Sequence, residues 1–418
     1  MSANSQSDAG VKQAVQLLRR TDEIRRRARL VLDRARSGGS ENFRVHEDAM
    51  DTAAAQVAAT TRRRYPDLQI PYHSRWRHFE AGAVNRAAQL DQLLNEHAGR
   101  PDRAARARAQ IDLAVVSVLL DAGAGAQWSY FEADSGGHFS RSEGLAVASF
   151  HAFTSGLFSS DPDRPLQVDA AALMALTEHQ LAQAFQASDA KPLVGLSGRV
   201  ALLRRLGRAL ATQPDTFGQA GRPGCLFDTL TYDGTTLVHA RDILALVLDT
   251  WSEAWPSAER LGAVSVGDCW HCPGISGAGL SNGWMPFHKL SQWLTYSLLE
   301  PFEWAGVGVE GVGDLTGLPE YRNGGLLIDS GVLAPRPSGW ADHLWSVSDT
   351  FIVEWRALTV ALLDDLAPRV RHVLGCDASS LPLACVLEGG TWAAGRELAQ
   401  SLRSGQPPLH ISSDGTVF

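Results

Sequence analysis

Between Leu315 and Asp329 the chain reads LTGLPEYRNGGLLID, and Glu320, Tyr321, Arg322 and Asn323 set a carboxylate, a phenol, a guanidinium and an amide in a row. Two glycines, Gly324 and Gly325, follow, and the flanks are apolar. Polar groups in an apolar stretch need hydrogen-bonding partners, supplied by the protein or by a ligand. A buried network between Glu320 and Arg322 meets that need structurally, whereas a small-molecule site meets it with chemistry.

Three further clusters carry reactive or binding side chains. Tyr72 to Glu80 gathers His73, Arg75, Trp76, Arg77, His78 and Phe79, which offer cations and π-faces to a phosphate, to a ring or to another part of the protein. The string LLDAGAGAQWSYFE brings Asp121, Trp128, Tyr130 and Glu132 near a glycine-rich turn. Arg141 and Glu143 follow in RSEGL, placed to orient a polar ligand or to pair as structure. Past Pro286, His288, Gln292 and Thr295 or Tyr296 recur at helical spacing beside Lys289 and Trp293, as a solvated stripe or as a pocket wall.

Other patterns match without their context. Cys269-Trp270-His271-Cys272 has the form of a zinc knuckle, but a closed zinc site takes four ligands and no second pair follows at suitable spacing. Gly279 to Gly283 reads GxSxG, yet an irregular glycine-rich loop precedes Ser281 where a nucleophile elbow requires a strand. Gly306 to Gly311 reads GxGxxG but runs into more glycines instead of opening a helix. The reading is of a site with no metal and no cofactor.

The elements that position these residues are mostly helical. Helical periodicity covers residues 11–36, up to the break Ser37-Gly38-Gly39-Ser40, and 47–63, closed by Pro66. It recurs at 83–97, 101–121, 165–211 and 240–251, then from Pro286 to about residue 299, where Pro301 is expected to stop the helix. Residues 252–285 read as loops, LLID at 326–329 as a brief strand or buried turn, and 348–366 and 391–403 as final helices. Strands are few and short, so the expected class is mainly α, a multi-helix globular fold. Its parts are a basic helical region (1–65), a helical catalytic core (66–418) and an insertion within that core at about 256–312.

Composition bounds the function. With 44% hydrophobic and 20% charged residues the chain has the make-up of a packed globular protein. No apolar run reaches the roughly 20 residues of a membrane span, and the N-terminus lacks a signal-peptide core. Five cysteines, an odd number, argue against a disulfide framework. A cytoplasmic protein with reduced thiols and no membrane partner is expected. Residues 1–65 carry 13 Lys/Arg against 8 Asp/Glu, in a chain of net charge -8, so an acidic body follows a basic helix face. That balance disfavours nucleic acid as a partner.

The strings IPYHSRWRHFEAG, LLDAGAGAQWSY, RSEGLAVAS, PFHKLSQWLTYSL and LTGLPEYRNGGLLID resemble the bacterial and fungal uracil-catabolism protein family, from about residue 65 onward. A more distant similarity is to the queuosine-salvage nucleotide N-glycosylases, which have a DNA-glycosylase-like helical fold. These carry a helix ending in D-T-W and a downstream L-T-x-x-x-D-Y-R. The counterparts here are Asp249-Thr250-Trp251 and Leu315-Thr316 through Glu320-Tyr321-Arg322. The resemblance implies Glu320 as catalytic carboxylate and Arg241 as its assistant, with Glu and Arg standing where that family has Asp and Lys.

The function expected from these features is hydrolysis of an N-ribosidic bond in a pyrimidine-derived nucleotide or nucleoside, such as ribosylurea or its phosphate, during uracil catabolism. A fixed carboxylate stabilises the positive charge that develops on C1′ and orients a water. Tyr321, Arg322, Asp249, Asp121, Trp128, Arg141, Glu143, His73, Arg75, His288 and Lys289 are the expected substrate contacts. Arg241 or Arg322 would hold a phosphate, and Trp128 would cover the base. The alternatives are a non-catalytic nucleotide sensor or scaffold with the same pocket, and a zinc hydrolase built on Cys269, His271 and Cys272.

Overall fold

A computed structural model describes residues 3–99, 101–255 and 259–412. It is mainly helical, and among the described residues each strand belongs to a two-stranded ladder. The ladders act as clips. Phe43–Val45 pairs with Leu333–Pro335, and Leu237–His239 runs parallel to Gly308–Glu310, which places the GxGxxG segment in a strand. Among the described residues no helix is long and apolar enough to cross a membrane.

One continuous cluster of buried apolar side chains runs from Ile24 to Leu409. The basic helix Thr21–Arg36 contributes Ile24, Ala28, Val31 and Leu32 to it and packs on the long helix Thr350–Leu374, as does Met50–Arg64. Its arginines are not a solvated face. Arg25 donates to the carbonyls of Asp314 (2.7 Å) and Leu315 (2.6 Å), Arg29 forks onto Asp365, and Arg27 is wholly buried against Glu23 and the 281–284 loop. The first helical region is two helices, Ala3–Leu18 and Thr21–Arg36, rather than one. Within the expected insertion, residues 256–258 lie outside the described residues. The 259–286 stretch forms two small ladders, and Val266, Cys269 and Trp284 pack on Val15 and Leu18.

Pro301 does not end its helix, which runs Lys289–Trp304. A proline inside a helix orphans the carbonyl four residues earlier, here that of Ser297. The indole N–H of Trp76 donates to that oxygen at 2.9 Å, and the Arg75 amide donates to the Ser297 hydroxyl at 2.9 Å. The aromatic-cationic segment Arg75–Phe79 is therefore docked on the gap that the proline opens. LLID likewise is neither strand nor turn, because Tyr321–Asp329 is one helix with Glu320 as its N-cap.

That short helix packs against Trp392–Arg403 at Gly395. A Cβ there would lie inside contact distance of the Arg322 carbonyl oxygen, on rigid backbone. Gly395→Ala is expected to cost about 1–3 kcal/mol, as other overpacked contacts do, seen as a lowered urea midpoint with an unchanged slope.

Candidate active site

Glu320 owes its position to three anchors that converge on the preceding loop. Gln292, fully buried, exchanges bonds with Thr316: its Nε2 donates to the hydroxyl (2.7 Å) and its Oε1 accepts from the amide (2.8 Å). Tyr296 donates to the Thr316 carbonyl at 3.0 Å. Arg25 holds the two residues before it. The polar stripe of the Lys289–Trp304 helix is thus buried and grips the LTG segment.

A helix start exposes unpaired N–H groups and a partial positive charge, and Glu320 caps both. One carboxylate oxygen accepts from the Asn323 amide at 2.6 Å and the other from the Arg322 amide at 2.8 Å. Burial raises the Glu320 pKa, while these two amides, Lys289 and His73 pull it back down, and the balance is a raised value. Lys289 is shifted the opposite way. Burial and the like charge of Arg356 lower its pKa, against Glu320, Asp268 and Asp121. Both residues are partly exposed, and each charge acts on the other.

A buried clamp links the segments that carry Lys289 and Glu320. The Arg356 guanidinium forks onto Asp268 with both bonds at 2.7 Å, lies 4.0 Å over the Phe287 ring, and points Nε at the Pro319 carbonyl. Asp268 also accepts from the Lys289 amide at 3.0 Å and from the Trp270 indole at 2.7 Å. Burial raises the Asp268 pKa, but Arg356 outweighs it and the carboxyl sits at about 2. His288 adopts a left-handed conformation (φ 49°) at the helix start, a strained choice for a non-glycine residue. The turn sends neighbouring side chains apart. His288 goes inward, to the Leu18 carbonyl (3.0 Å) and Cys269 Sγ (3.6 Å), and burial drops its pKa to about 4.

Asp121, whose charge acts on Lys289, stands beside Arg75. Arg199 holds the turn after Asp121 by donating to the carbonyls of Leu120 and Ala122, each at 3.0 Å. Arg75 is wholly buried and bonds the Ser117 hydroxyl at 2.7 Å. Its Nη1 stands 3.2 Å from Asp121 Oδ1, an ion contact outside hydrogen-bond geometry. Arg75 Nη2, Asp121 Oδ1, the Trp293 indole nitrogen and His78 Nδ1 are all buried without a hydrogen-bonding partner. Their rings and charges interact: Arg75 lies 5.7 Å from the Trp293 ring, and His78 sets its edge against Trp293 (5.9 Å) and Trp392 (6.4 Å). Burial lowers the His78 pKa to about 4, so the ring is neutral near pH 7. Orphaned polar groups are rare inside proteins, and each of these calls for a partner.

The neighbourhood opens into a cleft of about 600 Å³ lined by His73, Arg77, His78, Glu143, Trp392 and Arg396, among others. One wall is a π-helical turn, Leu387–Thr391, between Leu383–Val386 and Trp392–Arg403. Such turns recur at functional sites because the added residue turns one side chain out of the helical register. Here Glu388 accepts from Arg64 (2.8 Å) and Tyr65 (3.0 Å) and is 2.8 Å from His73 Nδ1. Burial opposes its ionisation, but His73 and Arg64 outweigh it and bring the pKa to about 2.

A depressed carboxyl pKa stabilises the fold fully above the unfolded value, and the benefit is lost as pH falls towards the folded one. For Glu388 that window runs from about 4.5 down to about 2, and the shift corresponds to about 3 kcal/mol. The stability gap between the wild type and Glu388→Gln in urea unfolding should therefore narrow as pH falls from about 5 towards about 2. A gap that is independent of pH would contradict the ion pairing.

The structure gathers Glu320, Lys289, His73, Arg75, Asp121 and Glu143 in one neighbourhood, where each feels the charge of another. Tyr321 and Arg141 flank it, and Arg141 too has a left-handed backbone (φ 56°). Other expected contacts lie elsewhere. Trp128 is core, 1% exposed, with its indole bonded to the Phe185 carbonyl, so it has no free face for a base. Arg241 is mostly exposed beside Asp242 and Asp314, and Asp249 pairs with Arg19 at 2.6 Å. Arg322 is buried and turned towards the Gly405 carbonyl. Ser281 is buried, with its hydroxyl bonded to the Ala278 carbonyl and to Arg27. Glu388, Trp392 and Arg396 carried no signal in the sequence beyond the Gly389-Gly390 pair, which lets the helix Met50–Arg64 approach the π turn.

Comparison with known proteins covers most of the chain. A family model described as a protein of unknown function, DUF1688, matches residues 17–418. Uracil catabolism protein 4 of Lachancea kluyveri is 38% identical over 414 residues, covering 91% of this chain and 93% of its own. Protein urg3 of Schizosaccharomyces pombe is 40% identical over 415 residues, covering 95% and 97%. Every segment that builds the site, from the basic helix that holds Leu315 to the π turn, lies inside the matched span, and the chain belongs to the DUF1688 family.

Proposed function

We propose that the protein is a metal-independent hydrolase that cleaves the N-ribosidic bond of a pyrimidine-derived nucleotide or nucleoside, with Glu320 as the catalytic carboxylate. The observation that carries the reading is the state of Glu320: both oxygens are fixed by backbone amides, and the charges of Lys289 and His73 act on it. Such a carboxylate is preorganised to face an oxocarbenium-like centre and to take a proton from water. Its raised pKa brings it closer to the range in which a general base works best. Asp121 and Arg75 offer acceptors and donors to ribose hydroxyls. Trp392 offers an apolar face to the base or its ring-opened remnant, and the cleft cations Arg64, Arg77 and Arg396 suit a 5′-phosphate. The relative named for uracil catabolism supports this choice of substrate class.

The test is release of ribose or ribose 5-phosphate from uridine, UMP, ribosylurea and ribosylurea 5′-phosphate by the purified full-length chain. Turnover of one of the four is expected. Stoichiometric calorimetric binding of one with no turnover of any would instead make the site that of a sensor.

A further inference from the structure

An N-ribosyl hydrolase needs more than a carboxylate beside C1′. A urea or pyrimidine nitrogen departs as an anion unless it is protonated as the bond breaks, so the site must also hold an acid. Glu320 does not qualify, since in the hydrolase reading it works as the ionised carboxylate that takes the proton of the attacking water. His78 is neutral near pH 7 and wedged edge-on between two indoles.

His73 has the geometry for the task. Its Nδ1 is 2.8 Å from Glu388, whose carboxylate is locked by Arg64 and Tyr65. A carboxylate only accepts, so Nδ1 carries the hydrogen of that bond and Nε2 is the nitrogen left for chemistry. Among the described residues no hydrogen-bond partner is found for Nε2, and the ring lines the cleft. The charged and titratable groups around the ring are Glu388, Arg64, Tyr65, His78 and Glu320. The π turn is what brings Glu388 to the imidazole. We propose that His73, oriented by Glu388, is the general acid that protonates the leaving nitrogen, working opposite Glu320. This rests on the hydrolase reading above.

In the step so assigned the ring acts as the imidazolium, with the Nδ1 hydrogen donated to Glu388 and a second proton on Nε2. The C1′–N bond breaks and its electron pair stays on nitrogen, which takes the Nε2 proton. The oxygen of a water bonds to C1′, and that water gives a proton to Glu320. Ribose, or its phosphate, and a neutral N–H product leave, and exchange with solvent restores both protonation states.

The experiment compares leaving groups. Wild type, His73→Gln, Lys289→Met and Glu320→Gln, all full-length, are assayed on the nucleoside or nucleotide turned over above and on p-nitrophenyl β-D-ribofuranoside, with and without a 5′-phosphate. Nitrophenolate leaves without protonation. His73→Gln is expected to lose about 10²–10³-fold in kcat on the nitrogen-linked substrate and less than about 10-fold on the nitrophenyl one. Glu320→Gln should lose heavily on both. Equal losses of His73→Gln on the two substrates would reduce His73 to a structural role and overturn the assignment while the hydrolase stands. The selective pattern appearing in Lys289→Met instead would overturn it in favour of the ammonium. Absence of turnover of every substrate by the wild type removes the hydrolase reading and this assignment together.

Discussion

Glu320→Gln is expected to lower kcat on the nitrogen-linked substrate by about 10²–10³-fold while leaving substrate affinity within a few-fold of wild type. The amide keeps the length and shape of the side chain but removes the charge that faces C1′ and the base that takes the water proton. It also offers one acceptor where the cap uses two, so one of the Arg322 and Asn323 amides loses its partner. That loss costs about 1 kcal/mol of stability and is read separately, from urea unfolding of the same sample. Loss of binding and turnover in equal measure would mean that the variant damages the pocket, not the chemistry. The pH profile gives a second reading. The ionised carboxylate is the working form, so kcat falls as pH drops through the folded pKa. Burial moves that acid limb above the ordinary glutamate range.

The second large effect is expected at the clamp. Asp268→Ala removes the partner of a fully buried guanidinium, together with acceptors for the Trp270 indole and the Lys289 amide. Breaking a buried pair from one side costs about 3–5 kcal/mol, because the remaining charge stays desolvated. Activity should fall with stability, since the clamp holds the start of the Lys289 helix and the Pro319 carbonyl next to Glu320. The double variant Asp268→Ala/Arg356→Met leaves no unpaired charge and should recover part of the stability in denaturant unfolding. A single variant within about 0.5 kcal/mol of wild type would show that the pair is not buried as described.

Much of the site was legible because polar residues stood out against apolar neighbours. Glu320 was read that way, Asp121 from its place beside a glycine-rich turn, and Arg75 and His73 from a cluster of cations and rings, and the structure brings the four together. Carrying roles across from a distant family served less well. The D-T-W helix forms as expected, yet Asp249 and Arg241 sit on its exposed side. Trp128 and His288 show a different limit: an aromatic or a histidine near a glycine turn looks the same in sequence whether it faces a ligand or the core. Glu388 was missed because a π turn has no periodicity of its own, and its partners Arg64 and His73 lie 324 and 315 residues away in sequence.

The sequence by itself determined the class, through helical periodicity and caps that act within one or two turns. Hence the long helices fall near their expected ranges. It also determined which polar residues had to find partners, since burial of a charge is costly wherever it happens. Only the tertiary structure decided which partners. Pro301 stays inside its helix because the distant Trp76 supplies the missing hydrogen bond, and the arginines of Thr21–Arg36 are core staples because Asp364, Asp365 and the Leu315 carbonyl come to meet them. Glu320 becomes a candidate catalytic group, not a mere helix cap, because Lys289, His73, Arg75 and Asp121 arrive around it from three separate segments. Electrostatic coupling of this kind depends on distance in space, and no local pattern encodes it.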